Sequence, residues 1–312
     1  MTGATDLTKV AIITTARALS YKIIAEQICK ANEWYCAVYE IPQFKEAFIG
    51  SQYDLAYWAY WVKGLRFAYI TVEGEFMSEY SWAKVRDICN NTRCYVPTRW
   101  GKELFESHGV KVQDVIPHAL PTPIPDPPKE RSISAVYLNA HYRFYCRPFD
   151  LFTCDACERK GWRWWPEVKR AFPDALGFAS SCTQADGAIS YGNASTEDVY
   201  RLLSLGRVYP NLSTHEGFGI NPIMAMAVGT AVVTWDIPVY RETMPEAVFV
   251  PAEHEQKCYV DQRYGLEPGW FATRWGRIEE FIEAVKNAMN TSVDYASVRQ
   301  KYDAKKLYTK FL

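Results

Sequence analysis

Between His215 and Glu242 the chain reads as a strand end, an acidic residue, a glycine turn, a helix, a glycine stop and a second strand. Gly217 and Gly219 lack a Cβ, so the backbone there can approach a ligand closely. Pro222 falls where the first helical turn tolerates its ring and its missing amide hydrogen. The amides freed at that helix start carry partial positive charge, and phosphate groups bind there readily. Glu216 stands at the mouth of the same turn, and its carboxylate can accept hydrogen bonds from hydroxyls. One carboxylate beside an anion cradle suits a neutral polyol attached to a diphosphate. The plain alternative for Glu216 is an exposed turn acid.

These residues need a scaffold that delivers strand ends to one edge. The first half of the chain alternates accordingly. Lys9–Thr15, Tyr35–Ile41, Asp54–Tyr60, Phe67–Val72, Cys94–Pro97 and Val112–Ile116 read as strands, and Leu19–Ala31, Ser81–Cys89 and Lys102–His108 as helices. From Pro117 to Pro128 six of twelve residues are proline, which predicts an extended linker rather than a sheet or helix. The alternation then resumes. Strands are expected at Ile133–Leu138, Ala188–Tyr191, Val208–Leu212, Ala231–Thr234 and Ala247–Val250. Helices are expected at Phe149–Arg159, Thr196–Ser204 capped by Ser195, Pro222–Val228, Ile278–Asn290 and Tyr295–Phe311. The pattern predicts an α/β protein of two Rossmann-like, doubly wound domains, with the cleft between them as the default ligand site. The expected boundaries are residues 1–117, a linker at 118–131, a second domain at 132–294 and a C-terminal helix at 295–312.

Composition narrows the partners. The 312 residues are 48% hydrophobic and 23% charged with a net charge of −1, which offers no electrostatic grip on nucleic acid or anionic lipid. No apolar run is long enough to span a bilayer, and Met1–Lys9 lacks a signal-peptide pattern, so the expectation is cytoplasmic, with peripheral membrane contact left open. Eleven Trp and 21 Tyr suit sugar faces and cores alike. The Trp162, Trp164 and Trp165 cluster is read first as packing and second as a sugar or membrane platform. Nine cysteines argue against a complete disulfide framework. For Cys146, Cys154 and Cys157, and for Cys89 and Cys94, buried thiols are the first reading, with a local disulfide, or zinc at Cys154 and Cys157, as lesser ones.

The segment Glu216-Gly-Phe-Gly219, with Ala225–Thr230, Val232–Val233 and Asp236–Glu242, closely resembles the signature of the retaining GT-B glycosyltransferases of family 4, the sucrose-synthase-like and mannosyltransferase group. Val96–Lys102, Gly109–Val110, Val115–His118 and Tyr191–Tyr200 carry weaker echoes of it. The resemblance implies a GT-B fold with an N-terminal acceptor domain and a C-terminal donor domain, the last helix crossing back to the first. It implies transfer of a sugar, with retention, from a UDP- or GDP-sugar to an acceptor hydroxyl on a glycan, lipid or protein. Glu216 would contact the transferred sugar, and the amides of Gly217, Phe218, Gly219 and Ile220, with Asn221, would hold sugar and phosphates. Tyr191, Gly192 and Asn193 would lie near the base. Two basic residues would grip the diphosphate, making a metal unnecessary. Arg143 and Arg147 are placed there first, with Lys160 of Arg159-Lys160-Gly161 in reserve because it falls one helix later.

The chain also departs from the pattern. Met224 stands where the family has a second Glu for the ribose, and a thioether is a weak acceptor. Thr14–Ala18 replaces the glycine-rich turn after the first strand. Glu73-Gly74-Glu75 stands where a cleft histidine is usual, so Glu73 and His118 are the candidates for the acceptor side. Two other functions remain open at this point: a nucleotide-sugar binding or epimerising protein, and a non-catalytic homologue.

Overall fold

The computed structural model describes residues 9–15, 19–41, 67–70, 76–77, 79–139, 159–179, 188–191, 194–260 and 269–311. The expected strand Asp54–Tyr60 and all but the end of the expected helix Phe149–Arg159 lie outside these residues. So do Glu73, Arg143, Arg147, Gly192, Asn193 and Cys146, Cys154 and Cys157. The chain divides into two compact units. One comprises the described residues up to Pro121 with Val260, Gly269 and Tyr302 onward, and the other Thr122–Tyr259 and Trp270–Lys301.

In the first unit β1 (Lys9–Thr15), α1 (Leu19–Ala31) and β2 (Tyr35–Ile41) form a strand–helix–strand unit whose strands pair in parallel. Next come β3 (Phe67–Tyr69), β4 (Phe76–Met77), α2 (Glu79–Asn91), β5 (Arg93–Val96), α3 (Arg99–Ser107) and β6 (Asp114–Val115). β3, β5 and β6 make a second parallel sheet. Helix α3 starts three residues earlier than its apolar pattern suggests because the Thr98 side chain accepts the Gly101 amide at 3.0 Å. Trp82, Val85, Ile88, Val96, Phe105 and Val110 close the core between these elements. Cys89 and Cys94 are joined by a disulfide, which corrects the reading of this pair as free thiols. Their Cα atoms are 4.9 Å apart because α2 hands directly over to β5.

The second unit is built on one six-stranded parallel sheet. Its strands are β7 (Ile133–Asn139), β8 (Leu176–Ala179), β9 (Ala188–Ser190), β10 (Gly206–Asn211), β11 (Ala231–Trp235) and β12 (Val248–Val250), in the order β9-β8-β7-β10-β11-β12. The order reverses between β7 and β10, and in such sheets ligands bind beyond the carboxyl ends of the strands at that switch point. The helices are α4 (Trp165–Ala171, after a 3₁₀ turn at Trp162–Trp164), α5 (Thr196–Ser204), α6 (Ile220–Ala227), α7 (Pro238–Thr243), α8 (Ile278–Ala288) and α9 (Tyr295–Lys301). Strands β13 (His254–Val260) and β14 (Gly269–Trp275) pair with each other. Ser195 caps α5 in a reciprocal box with Asp198. Arg131 staples the amino-terminal edge of the sheet: its Nη1 donates to Ser204 O at 2.7 Å, Gly206 O at 3.0 Å and Thr230 Oγ1 at 2.7 Å, and its Nη2 to Val228 O.

The expected single helix Tyr295–Phe311 is two helices, because Asp303 ends the run and its side chain caps α10 (Ala304–Tyr308) through the Lys306 amide. The residues after Lys301 build the first unit. Ala119 N donates to Tyr308 Oη at 2.8 Å, and Phe311 stacks on Phe67 with 5.1 Å between ring centroids. His118 is buried there too. The Tyr69 hydroxyl donates to Ile116 O at 2.7 Å, so the His118 Nδ1 contact to the same oxygen, also 2.7 Å, places the proton on Nδ1. Burial lowers the His118 pKa to about 3. Between that value and the unfolded value near 6.5, the unfolded chain binds the extra proton, so stability falls as pH drops through this window. Relative to His118→Gln, the native protein should lose about 1.4 kcal/mol per pH unit within it. Parallel denaturant titrations of the two proteins from pH 7 to pH 4 measure this, and superimposable pH profiles would refute it.

Candidate functional site

The chain leaves β10 through Leu212, Ser213, Thr214 and His215 before reaching Glu216, and this short segment is bonded on two sides. On one side, Arg274 N donates to Thr214 O at 3.0 Å and His215 Nδ1 donates to Ala272 O at 3.2 Å, which ties the segment to β14. On the other, Thr214 N donates to Arg159 O at 2.9 Å. The Arg159–Gly161 turn is further held by the Tyr137 hydroxyl, which donates to Lys160 O. Gly161 makes this approach possible. It has φ +71°, and a Cβ there would lie 2.2 Å from Leu212 O. Any other residue would push the turn off the strand end.

The outcome is a charge cluster at the switch point. Lys160 Nζ donates to Glu216 Oε1, and an Arg159 Nη lies 3.9 Å from Glu216 Oε2. The Lys160 and Glu216 side chains are 12% and 14% exposed, so their attraction is weakly screened. Two cations face one carboxylate, and among these three side chains one positive charge is in surplus.

The glycine turn follows at once. Gly219 has φ +83° and ψ +58°, and from it α6 starts without a side-chain cap. The first amides of α6 are therefore left for a ligand or water. The helix begins two residues before the position that Pro222 suggests, because the left-handed glycine already sets the chain direction. Asn221 Nδ2 reaches Leu138 O at 3.4 Å, near the carboxyl end of β7. Beyond β11, Arg241 grips Asp236 through two bonds of 2.7 and 2.6 Å, which fixes the loop leading into α7.

The sequence candidates therefore sort unevenly. Glu216, Gly217, Phe218, Gly219, Ile220 and Asn221 fall together around the turn, and Lys160 joins them. Phe218 and Met224 are buried, at 4% exposure each. Tyr191 is half-buried, with its amide bonded to Ala179 O at 3.1 Å. His118 lies in the first unit, bonded to Tyr69. Arg143 and Arg147, the first choice for the diphosphate, lie outside the described residues. Lys160, held in reserve, is the cation that contacts Glu216, and Arg159 beside it was missing from the candidates. The available signal was the Arg-Lys-Gly wording, and counting elements along the chain obscured it. Among the described residues no group of three or more His, Cys, Asp or Glu is placed to hold a metal ion. No helix among them is long and apolar enough to cross a membrane.

The fold is that of the GT-B glycosyltransferases, α/β with two Rossmann-like units. Within it, residues 178–261 match the family model of the glycosyl transferases group 1. "Putative glycosyltransferase ORF330" of Acidianus filamentous virus 2 (isolate Italy/Pozzuoli) is 33% identical over 104 residues, which is 33% of this chain and 27% of that protein. The match thus spans about a quarter of that relative's length. Sucrose-phosphate synthase (tll1590) from Thermosynechococcus elongatus superposes with a TM-score of 0.55 at 14% identity, over 97% of this chain and 94% of its own. A glycosyltransferase from Rickettsia africae ESF-5 gives 0.55 at 11%, over 98% and 94%. At such identities the likeness is one of fold.

The approach of Gly161 to Leu212 yields a direct test of the site's construction. Gly161→Ala should cost more than about 2 kcal/mol, since the left-handed backbone and the clash with Leu212 O act together. A denaturant midpoint equal to that of the parent protein would contradict this geometry.

Proposed function

We propose that the protein is a retaining glycosyltransferase that moves a sugar from a nucleotide-sugar donor to an acceptor hydroxyl. The observation that carries the reading is the ion-paired cluster of Glu216, Lys160 and Arg159 at the switch point, immediately before the glycine turn from which α6 starts without a side-chain cap. A nucleotide diphosphate sugar needs both halves of that arrangement. Lys160 and Arg159 face the diphosphate, helped by the first amides of α6, and Glu216 accepts hydrogen bonds from the sugar's hydroxyls. Arg143 and Arg147 are proposed as further cations on the diphosphate, and Tyr191, Gly192 and Asn193 as neighbours of the base.

In the reaction the acceptor oxygen bonds to the anomeric carbon on the face that the leaving group vacates. The bond from that carbon to the diphosphate oxygen breaks, the electron pair goes to the diphosphate, and the acceptor's proton passes to a diphosphate oxygen. The enzyme supplies orientation and preorganised positive charge where negative charge develops. The signature likeness to family 4 supports retention, and the group 1 match over residues 178–261 supports glycosyl transfer. The donor is proposed to be a UDP- or GDP-sugar.

The first experiment is a thermal-shift screen with UDP, GDP, ADP and their common sugar conjugates. A ligand at about a hundred times its Kd adds roughly 2.7 kcal/mol of stability. One nucleotide should shift the melting temperature, and Lys160→Ala/Arg159→Ala should abolish that shift. Glu216→Gln should keep the fold while lowering turnover about a hundredfold or more, as expected when a group aimed at the reacting sugar is lost. Unchanged turnover in Glu216→Gln would remove the assignment.

A further inference from the structure

Tyr240, on α7, has a fully buried side chain at 0% exposure. Its hydroxyl has no hydrogen-bond partner among the described residues. Asn211 and Ser213, at 1% and 3% exposure, stand near the phenol oxygen, and Asn211 Nδ2 donates to Thr234 Oγ1 at 3.0 Å. A buried hydroxyl without a partner is costly, and one in a native structure calls for an explanation. The explanation lies in what surrounds it. The ring sits directly under the glycine turn, since a Cβ on Gly219 would meet Tyr240 Cε1 at 2.6 Å. Burial, and next to it the charge of Glu216, hold the phenol's pKa well above the usual tyrosine value, so the group keeps its proton and remains a donor.

Glu216 is held by Lys160 and Arg159. Under the function proposed above, on which this inference rests, a bound diphosphate competes for both cations. A carboxylate so relieved is steadied by a further donor, and Tyr240 offers a buried O–H under the adjoining glycine turn. We propose that Tyr240 is a positioning residue for Glu216, its hydroxyl donating to the carboxylate as Lys160 and Arg159 turn to the diphosphate. The carboxylate's remaining lone pairs then accept the sugar's hydroxyls. No bond is made or broken in this exchange of partners.

The test compares the parent protein with Tyr240→Phe, which keeps the ring under Gly219 and removes only the hydroxyl. Calorimetric titrations use UDP, GDP and ADP, and UDP-glucose, UDP-N-acetylglucosamine, GDP-mannose and ADP-glucose. The unliganded variant should be at least as stable as the parent, since deleting an unpartnered polar atom relieves its burial. Affinity for the sugar conjugate should fall about tenfold, the effect of one hydrogen bond to a charged group, and by a larger factor than affinity for the free nucleotide, which does not use the Glu216 carboxylate. Equal affinity of both proteins for the conjugate would overturn the proposal while leaving the nucleotide-sugar reading intact. A parallel loss of nucleotide and conjugate binding with lowered stability would make Tyr240 merely structural and overturn it too. A parent protein that binds none of the seven probes would overturn the reading and the proposal together.

Discussion

The site depends on how closely one turn approaches one strand end. β10 lies at the middle of the parallel sheet, and at its end the Leu212 carbonyl is met by the backbone of Gly161 with no room for a side chain. That contact aligns Thr214 with Arg159 and brings two basic residues, distant in sequence, onto Glu216. Loosened there, the sheet would still form, held at its opposite edge by Arg131. The cations, however, would lose their fixed relation to the carboxylate. Arg131 and the Gly161 turn thus act at opposite ends of the same strands.

The electrostatics follow from the same arrangement. A lone carboxylate at low exposure would be poorly solvated, and two facing cations offset that cost and leave positive charge over. The buried thioether of Met224 adds no such charge to α6. The polar character of the turn therefore comes from backbone amides and from Glu216, with the aromatic ring of Tyr240 as its support.

The fold was largely legible because its strands are apolar runs separated by glycine, proline and capping residues. Ser195 announced α5. What escaped were β4, β8, β13, β14, α4 and α7. Leu176–Ala179 is too short to show a period, and its Gly177 reads as a breaker. In the structure that glycine makes room for the Trp165 indole, since a Cβ there would sit 2.7 Å from the ring. Trp162 and Trp165, at 2% and 1% exposure, are core residues, in keeping with the packing reading. At the site the Glu-Gly-Phe-Gly turn was plain from residue types alone. The partnership of Glu216 with Arg159 and Lys160 was not, because it spans 56 positions between Lys160 and Glu216 and depends on a left-handed glycine. Tyr240 left no signal either, since a tyrosine on the buried face of a short helix looks like any other packing residue.

The division of the chain also has a consequence for the order in which it is made. The sheet carrying Glu216 is finished once α9 has been synthesised, for Arg299 of that helix donates to Ala227 O and to Pro125 O within the same unit. The first unit, although its strands emerge earlier, still lacks the Tyr308 hydroxyl that receives the Ala119 amide and the Phe311 ring that fills the space beside Phe67, Tyr69 and Tyr95. During vectorial synthesis, therefore, the half that begins first is completed last. Until residue 311 clears the ribosome, the aromatic surface of Phe67, Tyr69 and Tyr95 lacks its Phe311 cover, and a chaperone would find an apolar patch there.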